Sequence, residues 1–421
     1  MTDHYSVSRV VARPLSIGLY TSSTQPRGSV VQCSALADTL HAQGHGVTLY
    51  ALSAQGSQPF FRGLRARLVL IPTAAPSSNI DRSAGQHMSD VQSFLLRHGG
   101  AHDVHHAQDW LMASALAHSR DKLAAPLVRT VHHVERFDSP YLEHCQAQSI
   151  RSADLVLSVS EATREEVMSR YKVGSRLIDS GIDGSRFVMP PARDVVELGA
   201  RLGLASAGPV LVSYGGIEAR KNSLGVLQAF LALRKRLKSA TWVVIGGSGL
   251  FEQVAYRDEF QRVLNEASEA DRKAVILAGV LSERELIASY QLADAVVCAS
   301  HKEGFGMCAL EALAAGAPLV ASRKAPFTEH LDERCAVLVD PESHEQLVSA
   351  LWGVLLRGRS DHARIANGIE RAKRFGWARV AESQVRMYRE LREGARCSPD
   401  ESGSFQVQVP TRRNRGVRAL G

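Results

Sequence analysis

The sequence is poor in cysteine and has no long apolar run. Its six cysteines among 421 residues are widely spaced, without a C-x-x-C pair or a spacing typical of metal ligands. No run approaches the ~20 apolar residues that a membrane-spanning helix needs, and the N-terminus does not read as a signal peptide. We therefore expect a soluble, cytoplasmic chain with reduced thiols and no metal site.

Positive charge is in excess, with a formal net charge of +7. Such a charge favours an anionic ligand, an anionic membrane surface or nucleic acid. Residues 395–421 carry five arginines against one Asp and one Glu and show no apolar periodicity. We interpret this segment as a disordered basic tail and expect no nucleic acid partner, whereas a peripheral membrane contact stays open.

Short β-branched runs alternate with helical stretches along the whole chain, which predicts an α/β fold with parallel sheets. The pattern occurs twice, with strands such as LSIGLY and DVHHA in the first half and PVLVSYG and DAVVCAS in the second. A composition shift around MPPARD separates the halves. The predicted division is an N-terminal domain at 1–190, a C-terminal domain at 191–375, a helix crossing back at 376–394 and the tail at 395–421.

The segment SHKEGFGMCALEALAAG follows the strand DAVVCAS. Glu303 closes the strand, Gly304 and Gly306 let the backbone approach a ligand, and the helix that follows offers free amides to a phosphate. Glu311 lies eight residues after Glu303 among apolar neighbours, where burial would require hydrogen-bond donors such as sugar or ribose hydroxyls. Spacing alone leaves open an exposed Glu311 or one paired with a basic residue.

EGFGMCALE resembles the E-x7-E element of the retaining glycosyltransferases of family 4, which have the GT-B fold. LADAVVCASHKEGFG and AAGAPLVAS resemble the same signature. The resemblance implies two Rossmann-like domains facing each other across a cleft. It also implies that Glu303 approaches the donor sugar and Glu311 binds the nucleoside ribose. The sugar and diphosphate would meet the backbone amides of Gly304, Phe305, Gly306 and Met307.

The second anchor is SYGGIEARKN, which resembles the family element G-R-x-x-x-x-K. Lys221 matches the lysine that neutralises the nucleotide diphosphate, and Arg220 is its basic neighbour. Gly215 matches the glycine, but Gly216 stands where the family commonly has the arginine. The resemblance also places Gly279, at a later strand end, near the nucleotide base. The turn GGSG lacks the full G-x-G-x-x-G pattern, which disfavours a nicotinamide site.

In the first half, STQPRGSVVQ resembles the family's N-terminal glycine loop, with Arg27 and Gly28 at the positions of two glycines. An ordinary turn between strand and helix remains the alternative. DVHHAQDW resembles the family's H-A-H-D-W, with His106 at the first histidine, Gln108 at the second and Asp109 unchanged. Glutamine can hydrogen-bond a sugar hydroxyl but cannot act as a base.

Two further histidines, His132 and His133, follow the strand LVRTV and are candidates for the acceptor side of the cleft, together with Arg27, His106 and Asp109. A core or surface role for either histidine remains the alternative.

The resemblance implies transfer of a sugar from a nucleotide-diphosphate sugar with retention of configuration, without metal and without a cofactor beyond this co-substrate. We assign the chemistry to Glu303, Lys221, Arg220 and Gln108. Because Gln108 and Gly216 depart from the family pattern, a degenerate sugar-nucleotide-binding protein is one alternative, and a nucleotide-sugar epimerase is another. The sequence does not specify the base, the sugar, the acceptor or the oligomeric state.

Overall fold

A computed structural model of the chain describes residues 13–25, 28–54, 61, 63–75, 77, 79–188, 191–204, 208–247 and 254–396. These residues form two parallel sheets covered by helices. The predicted α/β class with two Rossmann-like halves is therefore confirmed.

The first sheet has seven parallel strands in the order β3-β2-β1-β4-β5-β6-β7. Its strands are β1 Ser16–Thr21, β2 Gly46–Ala54, β3 Arg67–Thr73, β4 Val104–Ala107, β5 Leu127–Val131, β6 Leu155–Ser158 and β7 Arg176–Leu177. The helices that accompany it are α1 Gly28–Ala42, α2 Ile80–His98, α3 Trp110–His118, α4 Pro140–Arg151 and α5 Glu161–Tyr171. The short helix α6, Ser185–Val188, packs on the core of the second half through Phe187. The central strands are buried on both faces, which explains their continuous apolar runs.

The second sheet has six parallel strands in the order β10-β9-β8-β11-β12-β13. Its strands are β8 Val210–Tyr214, β9 Thr241–Ile245, β10 Val275–Gly279, β11 Ala295–Cys298, β12 Leu319–Ser322 and β13 Val337–Val339. The remaining helices are α7 Ala192–Arg201, α8 Ser223–Arg234, α9 Val254–Glu266, α10 Glu269–Lys273, α11 Glu283–Leu292, α12 Met307–Ala314, α13 Phe327–His330, α14 His344–Arg357, α15 His362–Lys373 and α16 Trp377–Arg396. Within the described ranges, none of these helices has the length and apolarity to cross a bilayer.

Each sheet reverses its strand order beside its first strand. In the first sheet β1 lies between β2 and β4, and in the second β8 lies between β9 and β11. Such a switch point leaves a crevice at the carboxyl ends of the strands, where the connecting helices depart in opposite directions. The predicted site residues follow β1, β4 and β5 in one sheet and β8, β10 and β11 in the other, so both crevices face one cleft.

The last helix, α16, packs on the first sheet although it follows the second in sequence. Val380, Ala381 and Tyr388 are buried in the same core as Leu19 and Val128 of the first sheet. The backbone carbonyl of Phe375 also accepts a hydrogen bond from the amide of Ile182 at 2.7 Å. These contacts connect the two halves of the protein. The domain boundaries given above remain those predicted from the sequence.

Candidate active site

Two loops at the switch point of the second sheet are joined through their backbones. A short 3-10 helix, Ala219–Lys221, follows β8, and the loop 299–306 follows β11. The amides of His301 and Lys302 donate to the carbonyl oxygen of Arg220, at 2.8 and 3.3 Å. This pairing fixes the charged side chains of both loops on the same side of the sheet edge.

Glu303 is the carboxylate on which these loops converge. Lys221 Nζ donates to Glu303 Oε2, Arg220 Nη1 donates to Oε1 at 3.3 Å, and Ser300 Oγ donates to Oε2 at 3.3 Å. Burial alone would raise the pKa of Glu303, but the charges of Lys221 and Arg220 outweigh it and lower this pKa to about 2. Glu303 is therefore an anion at neutral pH and can accept hydrogen bonds but cannot donate a proton.

The two cations, Lys221 and Arg220, differ in the exposure of their side chains. Lys221 is held tightly: its side chain is 13% exposed, and the ion pair with Glu303 raises its pKa although burial acts in the opposite direction. Arg220 is 48% exposed, and its Nε donates to Glu218 at 2.7 Å. Lys221 is thus an enclosed charge in the wall, and Arg220 is a more exposed charge at the rim.

The glycines after β8 explain the departure at position 216. Gly215 and Gly216 have positive φ angles of 104° and 71°, and a Cβ on Gly216 would lie 2.4 Å from the carbonyl oxygen of Gly247. Gly246, in the turn after β9, is packed equally closely, because its Cβ would lie 2.6 Å from the amide nitrogen of Gly216. This backbone contact leaves no room for an arginine side chain at 216, so a phosphate cation cannot come from that position.

Replacing Gly216 by alanine is expected to destabilise the fold. The left-handed conformation costs roughly 1–2 kcal/mol for a residue with a Cβ, and the contact with Gly247 adds to it. Such a loss lowers Tm by a few degrees in a domain of this size. Gly174→Ala is the matched control, since a Cβ there meets no atom within 4 Å. Equal melting temperatures of the two variants in a thermal scan would contradict this account.

The loop from Glu303 to helix α12 is anchored by its aromatic residue. Phe305 is buried and packs on His330 and Phe375, with ring centroids 4.2 and 5.8 Å apart. Gly306, with φ of 88°, precedes the helix, and no side chain caps the helix N-terminus. The first turn of α12, beginning at Met307, therefore presents backbone amides and a positive dipole end toward the cleft.

Glu311 lies on α12 and is half-buried. Tyr290 Oη donates to Glu311 Oε2 at 2.6 Å, and the ring of Tyr290 stacks on Tyr214 at 4.4 Å. Burial raises the pKa of Glu311 to about 7, against the opposing effect of the Tyr290 hydrogen bond. The carboxyl group is poised between its neutral and charged forms at physiological pH, and hydroxyl donors from a ligand would favour the charged form.

Gln108 lies at the cleft wall of the first sheet between two histidines. Its Oε1 is 2.9 Å from His132 Nε2, and its Nε2 is 3.2 Å from His106 Nε2. Burial lowers the pKa of both histidines to about 3, and both are neutral at physiological pH. Neutral His132 can donate to the carbonyl of Gln108, which fixes the orientation of the amide.

The acceptor-side prediction for His106 does not match its placement. The residue is completely buried, and its ring nitrogens contact Tyr388 Oη at 2.6 Å and Thr130 Oγ1 at 2.7 Å. Because Tyr388 belongs to α16, His106 links the first sheet to the last helix. Its role in the described structure is to support the wall behind Gln108.

The remaining candidates are Asp109, His133, Gly28 and Arg27 of the first half and Gly279 of the second. Asp109 caps α3 through Met112 N at 2.9 Å and accepts from Ser22 N at 2.6 Å, so both of its oxygens have local partners. His133 is exposed and pairs with Glu135 at 2.5 Å. Gly28 begins α1 with open space around its Cα. Arg27 lies outside the described residues. Gly279 ends β10 and accepts from Gly246 N at 2.9 Å.

The two halves contact each other directly at the cleft. Gln32 of α1 lies 3.1 Å from the sulfur of Met307. Lys302 Nζ donates to the carbonyl of Val134 at 3.2 Å. A Cβ on Gly304 would lie 2.3 Å from the carbonyl oxygen of His132. The donor loops of the second half therefore abut the wall that carries Gln108.

Two protein-family models match the chain over most of its length. Glycosyltransferase Family 4 matches residues 26–186, and Glycosyl transferases group 1 matches residues 197–371. The two models together show that the chain belongs to the glycosyltransferases of Family 4 and group 1. It is 27% identical over 388 residues to a D-inositol 3-phosphate glycosyltransferase of Xylanimonas cellulosilytica, an alignment that covers 86% of this chain and 91% of that protein.

Solved structures share the fold of the glycosyltransferase. Sucrose-phosphate synthase from Thermosynechococcus elongatus superposes with a TM-score of 0.72 at 20% identity and covers 90% of this chain and 100% of its own. HepE from Anabaena, in complex with UDP-glucose, gives a TM-score of 0.72 at 18% identity, with 89% and 100% covered. The predicted GT-B architecture is thus confirmed.

Sequence reasoning missed several residues that shape the site of this glycosyltransferase. Tyr290 holds Glu311, Ser300 holds Glu303, and Gln32 contacts the first turn of α12. These contacts join residues that lie far apart in the sequence or that belong to common residue types, so no local sequence pattern predicts them. Within the part of the chain that the structure describes, no group of three or more His, Cys, Asp or Glu side chains is arranged to hold a metal ion.

Proposed function

We propose that this enzyme transfers a sugar from a nucleotide-diphosphate sugar to an acceptor with retention of anomeric configuration and without a metal ion. The observation that carries the proposal is the convergence of Lys221, Arg220 and Glu303 beside the open N-terminus of α12, with Glu311 on the same helix. Two similarities support the proposal. One is to a protein named D-inositol 3-phosphate glycosyltransferase, and the other is to HepE, whose structure contains UDP-glucose.

Each group has a defined part in this reaction. Lys221, Arg220 and the helix amides stabilise the charge that develops on the departing diphosphate. The carboxylate of Glu311 accepts hydrogen bonds from the ribose hydroxyls. Glu303, ionised throughout, accepts hydrogen bonds from the donor sugar and lies close to the developing positive charge on its ring. Gln108 positions the sugar from the opposite wall.

Retention follows from front-face attack, in which the acceptor approaches on the side from which the diphosphate leaves. A leaving phosphate oxygen is then close enough to take the acceptor proton. Neutral Gln108 cannot take that proton, and Glu303, whose pKa is lowered to about 2 by Lys221 and Arg220, is a weak base. Both observations favour the diphosphate as the base in this step.

The test is a screen of UDP-, GDP- and ADP-sugars with inositol phosphate, sugar phosphate and polyol acceptors, in the presence of EDTA. We expect acceptor-dependent release of nucleoside diphosphate and, by NMR, an α-linked product from an α-linked donor. A β-linked product would contradict retention of configuration, and loss of activity with EDTA would contradict metal independence. Tight donor binding without turnover would identify a binding protein. Formation of an isomerised free nucleotide sugar would identify an epimerase.

A further inference from the structure

Two cysteines meet in the wall of the donor site. Cys298 is the last residue of β11, Cys308 lies in the first turn of α12, and their sulfur atoms are 3.4 Å apart. Both are free thiols in the described structure. The loop that carries Glu303 connects them, so the two sulfurs close the base of this loop.

The surroundings give the two thiols different properties. Cys298 is 5% exposed, whereas Cys308 is more accessible. A hydrogen bond from Cys298 lowers the pKa of the Cys308 thiol, burial opposes this effect, and the charge of Lys221 adds to the lowering. The same hydrogen bond and burial raise the pKa of Cys298. Cys308 is therefore the more reactive thiol, and Cys298 is a protonated partner within reach.

The groups that shift the pKa of the two thiols come from several elements. Lys221 and Glu303 influence the pKa of both thiols, and Glu311 influences that of Cys308. Tyr214, partly buried at the end of β8, has its pKa raised by burial, and both cysteines add to the rise. The thiol pair thus lies between the phosphate-binding and the ribose-binding ends of the proposed donor site.

We propose that Cys298 and Cys308 form a site of oxidative modification, where a hydroperoxide converts the two thiols into one disulfide and prevents donor binding. The Cys308 thiolate attacks the peroxide oxygen, which breaks the O–O bond and gives a sulfenic acid and, after protonation, water. The Cys298 sulfur then attacks the sulfenic sulfur and displaces its oxygen as a second water. Two thiols and one hydrogen peroxide give one disulfide and two waters, with two electrons passing from sulfur to peroxide.

The effect on donor binding rests on the proposed function. A covalent S–S bond is about 2.0 Å long, so the two sulfurs have to approach each other. Because Cys298 is fixed in the sheet, the first turn of α12 moves instead, and with it the backbone of Gly306 and Met307. These amides then no longer face the diphosphate beside Lys221.

The experiment uses the full chain with Cys397→Ser, because Cys397 lies outside the described residues and would otherwise contribute a thiol. The protein is treated with hydrogen peroxide, and free thiols, the non-reducing tryptic map and donor turnover are measured. Trypsin cuts after Lys302, between the two cysteines, so the disulfide appears as two peptides joined covalently. We expect a loss of two thiols, these joined peptides and about a tenfold loss of donor turnover, all reversed by dithiothreitol.

Two variants make the test specific. Cys308→Ser removes the thiol that attacks the peroxide, and its turnover is expected to be the same before and after peroxide treatment under conditions that inactivate the parent. Cys335→Ser, which removes a buried cysteine elsewhere in the second half, should react as the parent does. A saturating nucleoside diphosphate is expected to slow the reaction, because it covers Cys308.

The proposal is overturned if the joined peptides do not form, or if Cys308→Ser is inactivated as readily as the parent. The thiol count and the peptide map do not depend on catalysis. If they show the disulfide while no donor is turned over even in the reduced protein, the proposed function fails and the thiol pair stands.

Discussion

Lys221→Ala is expected to lower kcat/KM for the nucleotide-sugar donor by about hundredfold, equivalent to about 2.7 kcal/mol of transition-state stabilisation. The lysine is a half-buried cation beside the N-terminus of α12, and the diphosphate gains charge as the sugar leaves. Its loss also deprives the half-buried Glu303 of its main partner, which raises the pKa of that carboxyl group. Steady-state kinetics with a saturating acceptor measure the effect.

Lys235→Ala is the matched control for this variant. Lys235 directly follows α8 on the exposed surface of the same half of the protein, so its loss removes the same charge without affecting the site. Its kcat/KM should equal that of the parent. A Lys221→Ala enzyme within about tenfold of the parent would show that Lys221 does not contact the diphosphate.

Donor affinity is expected to rise with pH through about 7 in the parent and to lose this dependence in Glu311→Gln. The ionised carboxylate accepts hydrogen bonds from ribose hydroxyls, whereas the protonated form that burial favours accepts them less well. Below the pKa of about 7, the Kd should therefore increase by up to about tenfold per pH unit, and above it the Kd should level off. At pH 8 we expect Glu311→Gln to bind the donor about thirtyfold more weakly, the equivalent of ~2 kcal/mol.

Isothermal titration calorimetry between pH 5.5 and 8.5, a range of about three units around this pKa, provides the test. Tyr290→Phe is the comparison variant: it removes the hydrogen bond to Glu311 and should move the midpoint upward while keeping the pH dependence. The ionised diphosphate of the donor does not titrate in this range. A pH dependence that persists in Glu311→Gln would assign the titration to another group.

The donor half of the site could be predicted because its chemistry is local in sequence. Glu303, the glycine pair around Phe305 and Glu311 lie within one strand-loop-helix unit, and Arg220 and Lys221 lie within another. Parallel β-topology brings the carboxyl ends of such strands together without further information. Strands such as β1 and β11 could be predicted as well, because buried parallel strands give continuous apolar runs.

The acceptor half could not be read equally well. His106 and His132 look alike in sequence, yet one is enclosed by Tyr388 and Thr130 while the other borders the cleft. The difference depends on α16, which returns from the far end of the chain and covers the first sheet. Motif spacing also could not show why Gly216 replaces the expected arginine, because the reason is the backbone of Gly247 across the turn.

The contact between Gly304 and the carbonyl of His132 gives position 304 a role that no hydrogen bond reveals. Any side chain there would act as a wedge and hold the two halves apart by at least the width of a methyl group. In the proposed reaction, such a gap would admit solvent to the cleft, and water would compete with the acceptor for the donor sugar. The selectivity of the proposed reaction for transfer over hydrolysis would thus depend on the missing side chain at position 304.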